Sequence, residues 1–186
     1  MGSGNRNRPG AIPHGADGVT SRAATVNARR AVKIEDSVTV LRRPEELYRF
    51  WRDFSNLPLF MRHLVSVHCT DDQHSHWVAR MPGGKTVEWD AVIVNDVPNQ
   101  IIAWKTVGDS DVAQAGSVHF RSAPGDRGTE VRIAIDYELP GARIMSSIAK
   151  LFGHAPDALL QEDMQRFKEY MESGEVPATE GQSSCR

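Results

Sequence analysis

The residues of this 186-residue chain best placed to do chemistry are a few polar side chains that strand parity sets among apolar ones. A buried polar group without a partner costs roughly 1–3 kcal/mol, so each has either a structural partner or a ligand to serve. Asp36, Asn95, Thr106 and Ser122 take the apolar side of their strands. One reading bonds them to backbone or to water near strand ends. The other makes them anchors for a ligand's hydroxyl or carbonyl, with Asn95 and Thr106 the two to test first.

Around them, Trp77, Trp89 and Trp104 share the inward parity. With Phe60, Met61, Met164 and Phe167 they would wall a pocket for a flat or chain-like apolar molecule, since such sites are mostly apolar with a few polar anchors. A filled core and a cavity wall look alike in sequence, and both readings stand. His74 and His76, two apart on one strand, would offer two imidazoles to a metal ion. Further ligands at suitable spacing are missing, so an exposed hairpin beside Asp71-Asp72 is the simpler reading. His63, His68, His119 and His154 read as surface or rim residues. No phosphate-binding glycine loop or serine-nucleophile motif occurs, and no metal or cofactor is expected.

Composition narrows the function classes. A formal net charge of -2 and a pI near 6.4 provide no basic field for nucleic acid. At 40% hydrophobic and 25% charged, the chain is of ordinary globular composition and long enough for one core. Cys69, inward by parity with Val65 and Val67, and Cys185 lack the spacing of a disulfide framework, which fits a reducing cytoplasm. No apolar run approaches the roughly 18 residues of a spanning helix.

Residues 1–30 carry five arginines against the single acid Asp17 and show no apolar periodicity. They read as a disordered basic arm, whether a solvated tail, a weak tether to anionic lipid or RNA, or an Arg-rich organelle presequence. The domain is expected over 31–173, followed by a flexible tail over 174–186.

The elements that position these residues follow from periodicity. A first strand spans 32–40, and Pro44, Glu45 and Glu46 then open a helix whose Leu47, Phe50, Trp51 and Phe54 fall on one side. Ser55 or Asn56 is expected to cap a second short helix running to about Arg62. From Leu64 the period becomes two, predicting strands over 64–70, 74–81, 85–96, 100–107, 115–123 and 128–138. Short turns between them force antiparallel neighbours. A last helix opens at Pro156 and Asp157, with Leu160, Met164, Phe167 and Met171 toward the sheet and Gln161, Glu162, Gln165, Arg166 and Glu169 toward water. An apolar segment from Ile144 to Phe152 would help form a cavity mouth.

This order, together with Arg43 to Met61, Ser75 to Ala79, Val87 to Ala91, Ile102 to Lys105, Gly128 to Arg132 and Asp163 to Lys168, resembles the bacterial polyketide cyclase/dehydrase-like branch of the START-related (SRPBCC) superfamily. That superfamily also holds coenzyme Q-binding START-like proteins and Bet v 1 type plant proteins. The resemblance implies an α+β helix-grip fold, a seven-stranded antiparallel sheet around a long C-terminal helix with an internal hydrophobic cavity. It implies binding or transfer of a lipid, quinone or polyketide-like molecule, through Phe60, Trp77, Trp89, Asn95, Trp104, Thr106, Tyr137, Met164 and Phe167. The alternative it implies is a polyketide cyclase or dehydratase, which needs an acid or base, with Tyr137 facing Asp36, or Arg80, as candidates. None of these forms a recognisable catalytic dyad, and no catalytic residue is assigned.

Overall fold

The computed structural model describes residues 31–138, apart from 82, 109 and 111, and residues 156–174. The basic arm, the apolar segment 144–152, His154, the tail beyond Gly174 and Cys185 lie outside the described residues. Strand β1 (Ala31–Val40) leads to helix α1 (Pro44–Arg52) and a 3-10 helix (Phe54–Leu59). Strands β2 (Leu64–Cys69), β3 (His74–Arg80), β4 (Thr86–Val97), β5 (Ile101–Val107), β6 (Ala113–Ser122) and β7 (Thr129–Glu138) follow, and α2 (Pro156–Ser173) closes the series. The expected strands thus form, each within two residues of its predicted ends.

All seven strands make one antiparallel sheet in the order β1-β7-β6-β5-β4-β3-β2. Strands β2 to β7 meander because their links are too short for a crossover. Strand β1 then pairs with β7 along its whole length, from Ala31 opposite Glu138 to Val40 opposite Thr129. With α2 packed along β1, this is the helix-grip arrangement.

Two β-bulges bend the sheet and correct two expectations. An extra residue between Ile93 and Asn95 shifts β4 against β5. Because side chains alternate with a period of two, one inserted residue sends everything beyond it to the other face. Asn95 is exposed rather than inward, and Val94 is 53% exposed. The same irregularity between Leu64 and Ser66 leaves Val67 buried but Val65 exposed. Cys69 keeps the parity of Val67, opposite buried Ser75, but as the last residue of β2 it is exposed, with its thiol 3.8 Å from Asp53 Oδ1. Ser122, at the end of β6, is exposed as well.

The 3-10 helix starts one residue before the expected cap. Asp53, not Ser55 or Asn56, is its N-cap, and the Asp53 carboxylate accepts a hydrogen bond from Ser55 N at 3.1 Å. This sharp turn drives Phe54 and Leu57 into the core. Phe54 meets Trp77 and Trp104, each at 5.3 Å between ring centroids. A second aromatic group joins α1 to α2, with Phe167 lying 5.9 Å from Phe50, 5.5 Å from Trp51 and 5.1 Å from Phe60.

Helix α2 buries Leu160, Met164 and Phe167 as its periodicity predicts. It also buries Asp163 and Arg166, and the placement of Arg166 on the wet side is thereby corrected. Its C-terminal carbonyls are met by Arg42, whose Nε donates to Met171 O at 2.8 Å and Nη2 to Glu172 O at 3.0 Å. No helix among the described residues is long and apolar enough to cross a membrane.

Candidate functional site: a tryptophan-walled cavity

On the inner face of the sheet, register brings the three strand tryptophans together. Trp77 on β3 is directly opposite Trp89 on β4, and Trp104 on β5 is opposite Ile93 on β4. The Trp77 ring lies 5.7 Å from Trp89 with planes 25° apart, and 6.2 Å from Trp104 with planes 19° apart. Trp77 is thus stacked against both neighbours. Together with Ala79, Ile135 and Tyr137 of the sheet, they line a cavity. Leu57, Met61 and Leu64 complete its apolar surface beyond the sheet's centre, and Met81, Val87 and Val112 extend it.

The cavity leaves about 30 Å³ in which a water-sized sphere can be centred, room for one or two water molecules. The expected internal cavity is therefore present but nearly filled by its own tryptophan wall. A larger guest must move side chains. Met61 and Met81 on the lining are the unbranched, adaptable groups that permit this.

The indole N–H groups are not equivalent. Trp77 Nε1 donates to Ser75 Oγ at 2.8 Å, both residues being buried on the same face of β3. Trp89 Nε1 and Trp104 Nε1 are buried without a hydrogen-bond partner among the described residues. Such donors are uncommon in native cores.

Polar lining comes from His63, Arg80, Gln114 and Tyr137. The Tyr137 side chain is buried, and desolvation, followed by the negative charge of Asp163, holds its pKa far above the ordinary tyrosine value. Asp163, on α2, is itself 2% exposed. Its Oδ1 accepts from Arg166 Nη2 and from Arg62 N at 3.3 Å, and its Oδ2 is 3.4 Å from His63 Nδ1. Arg166 Nε completes the set by donating to Phe60 O at 3.0 Å. A buried ion pair thus fastens residues 60–63 to α2 beside the polar end of the cavity.

Of the residues expected to touch a ligand, the structure brings Trp77, Trp89, Trp104 and Tyr137 to the cavity. Phe60, Met164 and Phe167 are buried but are not on its lining, Phe60 and Phe167 lying in the aromatic group between α1 and α2. Thr106 is half-buried and off the lining, its Oγ1 accepting from Gln114 N at 3.1 Å. Asn95 is outside altogether, for the bulge described above.

Tyr137 does not face Asp36. It is opposite Val32, whereas Asp36 is opposite Ile133, four residues or about 13 Å further along the strand. Nor do the two hairpin histidines share a ligand: His74 Nδ1 is 2.9 Å from Asp71 Oδ2, and His76 Nδ1 is 2.8 Å from Asp90 Oδ1. Sequence reasoning missed His63, Gln114, Asp163 and Arg166. The available signal was the position of Asp163, three residues after Leu160 and four before Phe167, on the apolar stripe of the helix.

Comparison with known proteins agrees with the architecture. Residues 40–165 match the sequence profile of the family described as "Polyketide cyclase / dehydrase and lipid transport". An uncharacterised 17.2 kDa protein of Streptomyces lincolnensis is 29% identical over 143 residues, covering 75% of this chain and 89% of its own length. A crystal structure from Deinococcus radiodurans is 37% identical with a TM-score of 0.62, over 77% of this chain and all of that one. A major latex-like protein of Panax ginseng shares the fold at 13% identity and a TM-score of 0.54, over 76% of this chain and 97% of that one. The di-domain ARO/CYC StfQ of the steffimycin biosynthetic pathway does so at 14% and 0.58, over 77% of this chain and 51% of its own length.

Proposed function

The chain belongs to the polyketide cyclase/dehydrase and lipid transport family, and on that premise we propose that it binds or transfers a hydrophobic small molecule in the tryptophan-walled cavity. The single observation that carries this reading is a cavity with, among the described residues, eleven apolar or aromatic lining residues besides Tyr137, and only His63, Arg80 and Gln114 as further polar contributors. Concave apolar walls with few convergent polar groups are the usual form of a small-molecule site. Met61 and Met81 on the lining would adjust to admit a guest larger than the space now free. The ligand is of lipid, quinone or polyketide-like type, and the unpaired Cys69 fits a cytoplasmic protein.

Native mass spectrometry of the purified protein, followed by solvent extraction, tests this directly. One apolar passenger per chain supports the reading. For protein that emerges empty, titration with the neutral dye N-phenyl-1-naphthylamine should saturate at one site per chain, and Ala79→Leu, which fills the cavity, should abolish that site. Absence of any saturable site in the unmodified protein would sink the proposal.

One observation favours a second reading, a cyclase or dehydratase. Tyr137 and His63 line the same cavity, and Asp163 interacts with both. Acid–base chemistry on a ligand carbonyl would then run at that end. Turnover unchanged in both Tyr137→Phe and His63→Gln would remove these residues from any mechanism. Contact of residues 1–30 with an anionic membrane surface stays a separate proposal, and equal liposome partition of the full chain and a chain beginning at Ala31 would refute it.

A further inference from the structure

We propose that strand β1 is the docking edge for a second copy of this chain, the two strands pairing antiparallel about a two-fold axis at Ile34. The proposal does not depend on what the cavity holds. The sheet ends at β1 on one side and at β2 on the other, and among the described residues no strand pairs with the outer side of either. An unpaired edge presents a row of N–H and C=O groups that another strand can use.

The two edges are built differently. Strand β2 has six residues and a register shift between Leu64 and Ser66, the kind of irregularity that twists an edge away from a partner. Strand β1 has ten residues without a proline, and its register along β7 is unbroken from Ala31 to Val40. The long, regular edge is the one able to accept a strand.

The order of charges along β1 selects a second copy as that strand. On the outer face Lys33, opposite Asp136 of β7, and Glu35 are both exposed. Lys33 Nζ is 3.1 Å from Glu35 Oε2, which also accepts from Arg132 Nη2 at 2.9 Å. Signs therefore alternate along this face. In a two-fold antiparallel pair of identical strands the position of the axis fixes every opposite pair. An axis at Lys33 or at Glu35 opposes like charges, each residue meeting its own copy. An axis at Asp36 sets Lys33 against Thr39 and Glu35 against Ser37, so neither charge finds a counter-charge. With the axis at Ile34, Lys33 faces Glu35 of the second copy, and the symmetry repeats that contact. The alternation of signs then continues across the junction. On the inner face the same axis sets Ile34 against its own copy and Asp36 against Val32, so no like charges meet there either. Residues 31–37 of both strands are paired, a small junction that should form at micromolar concentration and dissociate on dilution.

Sedimentation velocity of the full chain over a concentration series measures the association, and hydrogen exchange on the same samples locates it. The expected result is a dimer that dissociates on dilution, with amides of residues 31–37 slowed in the dimer and those of 64–69 unchanged. Lys33→Glu, which places two pairs of carboxylates face to face, should weaken association about tenfold. Lys33→Glu/Glu35→Lys restores opposite signs in reversed order and should bring association back to within about threefold of the unmodified protein. Circular dichroism melts check that both variants keep the fold, and the exchange measurement needs no substitution. A monomer at the highest soluble concentration would overturn the proposal. So would a dimer whose protection falls on β2 rather than β1, a dimer that Lys33→Glu leaves unchanged, or a folded double variant that fails to recover.

Discussion

Gly116 on β6 stands directly opposite Trp104 on β5, and the indole fills the space that any side chain at 116 would need. A glycine in mid-strand ordinarily weakens a sheet, so its presence here reflects close approach of the ring. Gly116→Ala should lower unfolding stability by about 1–3 kcal/mol, as overpacking does. In a Trp104→Phe background the loss should shrink, because the smaller ring vacates that space. Urea denaturation of the unmodified protein, the two single variants and the double variant checks the coupling.

Asp163 and Arg166, 2% and 9% exposed, are a buried charged pair. Removing one partner strands the other charge, and Arg166→Met alone should cost about 3–5 kcal/mol. Replacing both, as Asp163→Leu/Arg166→Met, should recover most of that loss in denaturant melts. If it does, the pair serves the site's geometry more than the fold's stability.

Tyr137 makes the protein sensitive to alkali. Burial first, and the Asp163 charge second, raise its pKa in the folded state. Its contribution is fully present below the ordinary tyrosine pKa and is lost as pH rises from there toward the folded value, because only the unfolded phenol ionises. Stability should fall by about 1.4 kcal/mol per pH unit above roughly pH 10 from this group. Tyr137→Phe should flatten that slope, as unfolding curves above and below that pH would report.

Arg42 joins the two ends of the described fold by donating to the carbonyls of Met171 and Glu172, while its own carbonyl accepts from Thr129 Oγ1 at 2.8 Å. Arg42→Ala should free the last turn of α2 and cost about 1–2 kcal/mol. Hydrogen exchange should quicken for amides near Tyr170 to Ser173 and stay unchanged around Trp77.

Strand parity is legible wherever strands run regularly, and parity alone is enough to group the three tryptophans of the wall. It fails at Asn95 because a bulge is a single inserted residue with no apolar pattern of its own. Thr106 is legible as an inward polar group but not as one serving Gln114 N, since that bond depends on how β5 and β6 approach beyond their last paired residues. Asp163 and His63 lie 100 positions apart in the sequence, and their meeting depends on how α2 crosses the 60–63 segment. Charged residues at surface spacing look the same whether or not such a crossing buries them. The size of the cavity is equally unreadable, because the same tryptophans wall a large space or fill a small one.

The pairing of β1 with β7 bears on how the protein is made. Strands β2 to β7 can zip together neighbour by neighbour as they leave the ribosome, but β1 has to wait until residues 129–138 have been synthesised. Throughout that interval its apolar face, Ile34, Val38 and Val40, is without its partner strand and open to capture by another chain. Expression yield should therefore depend more on chaperone supply and on temperature during translation than on the stability of the finished fold.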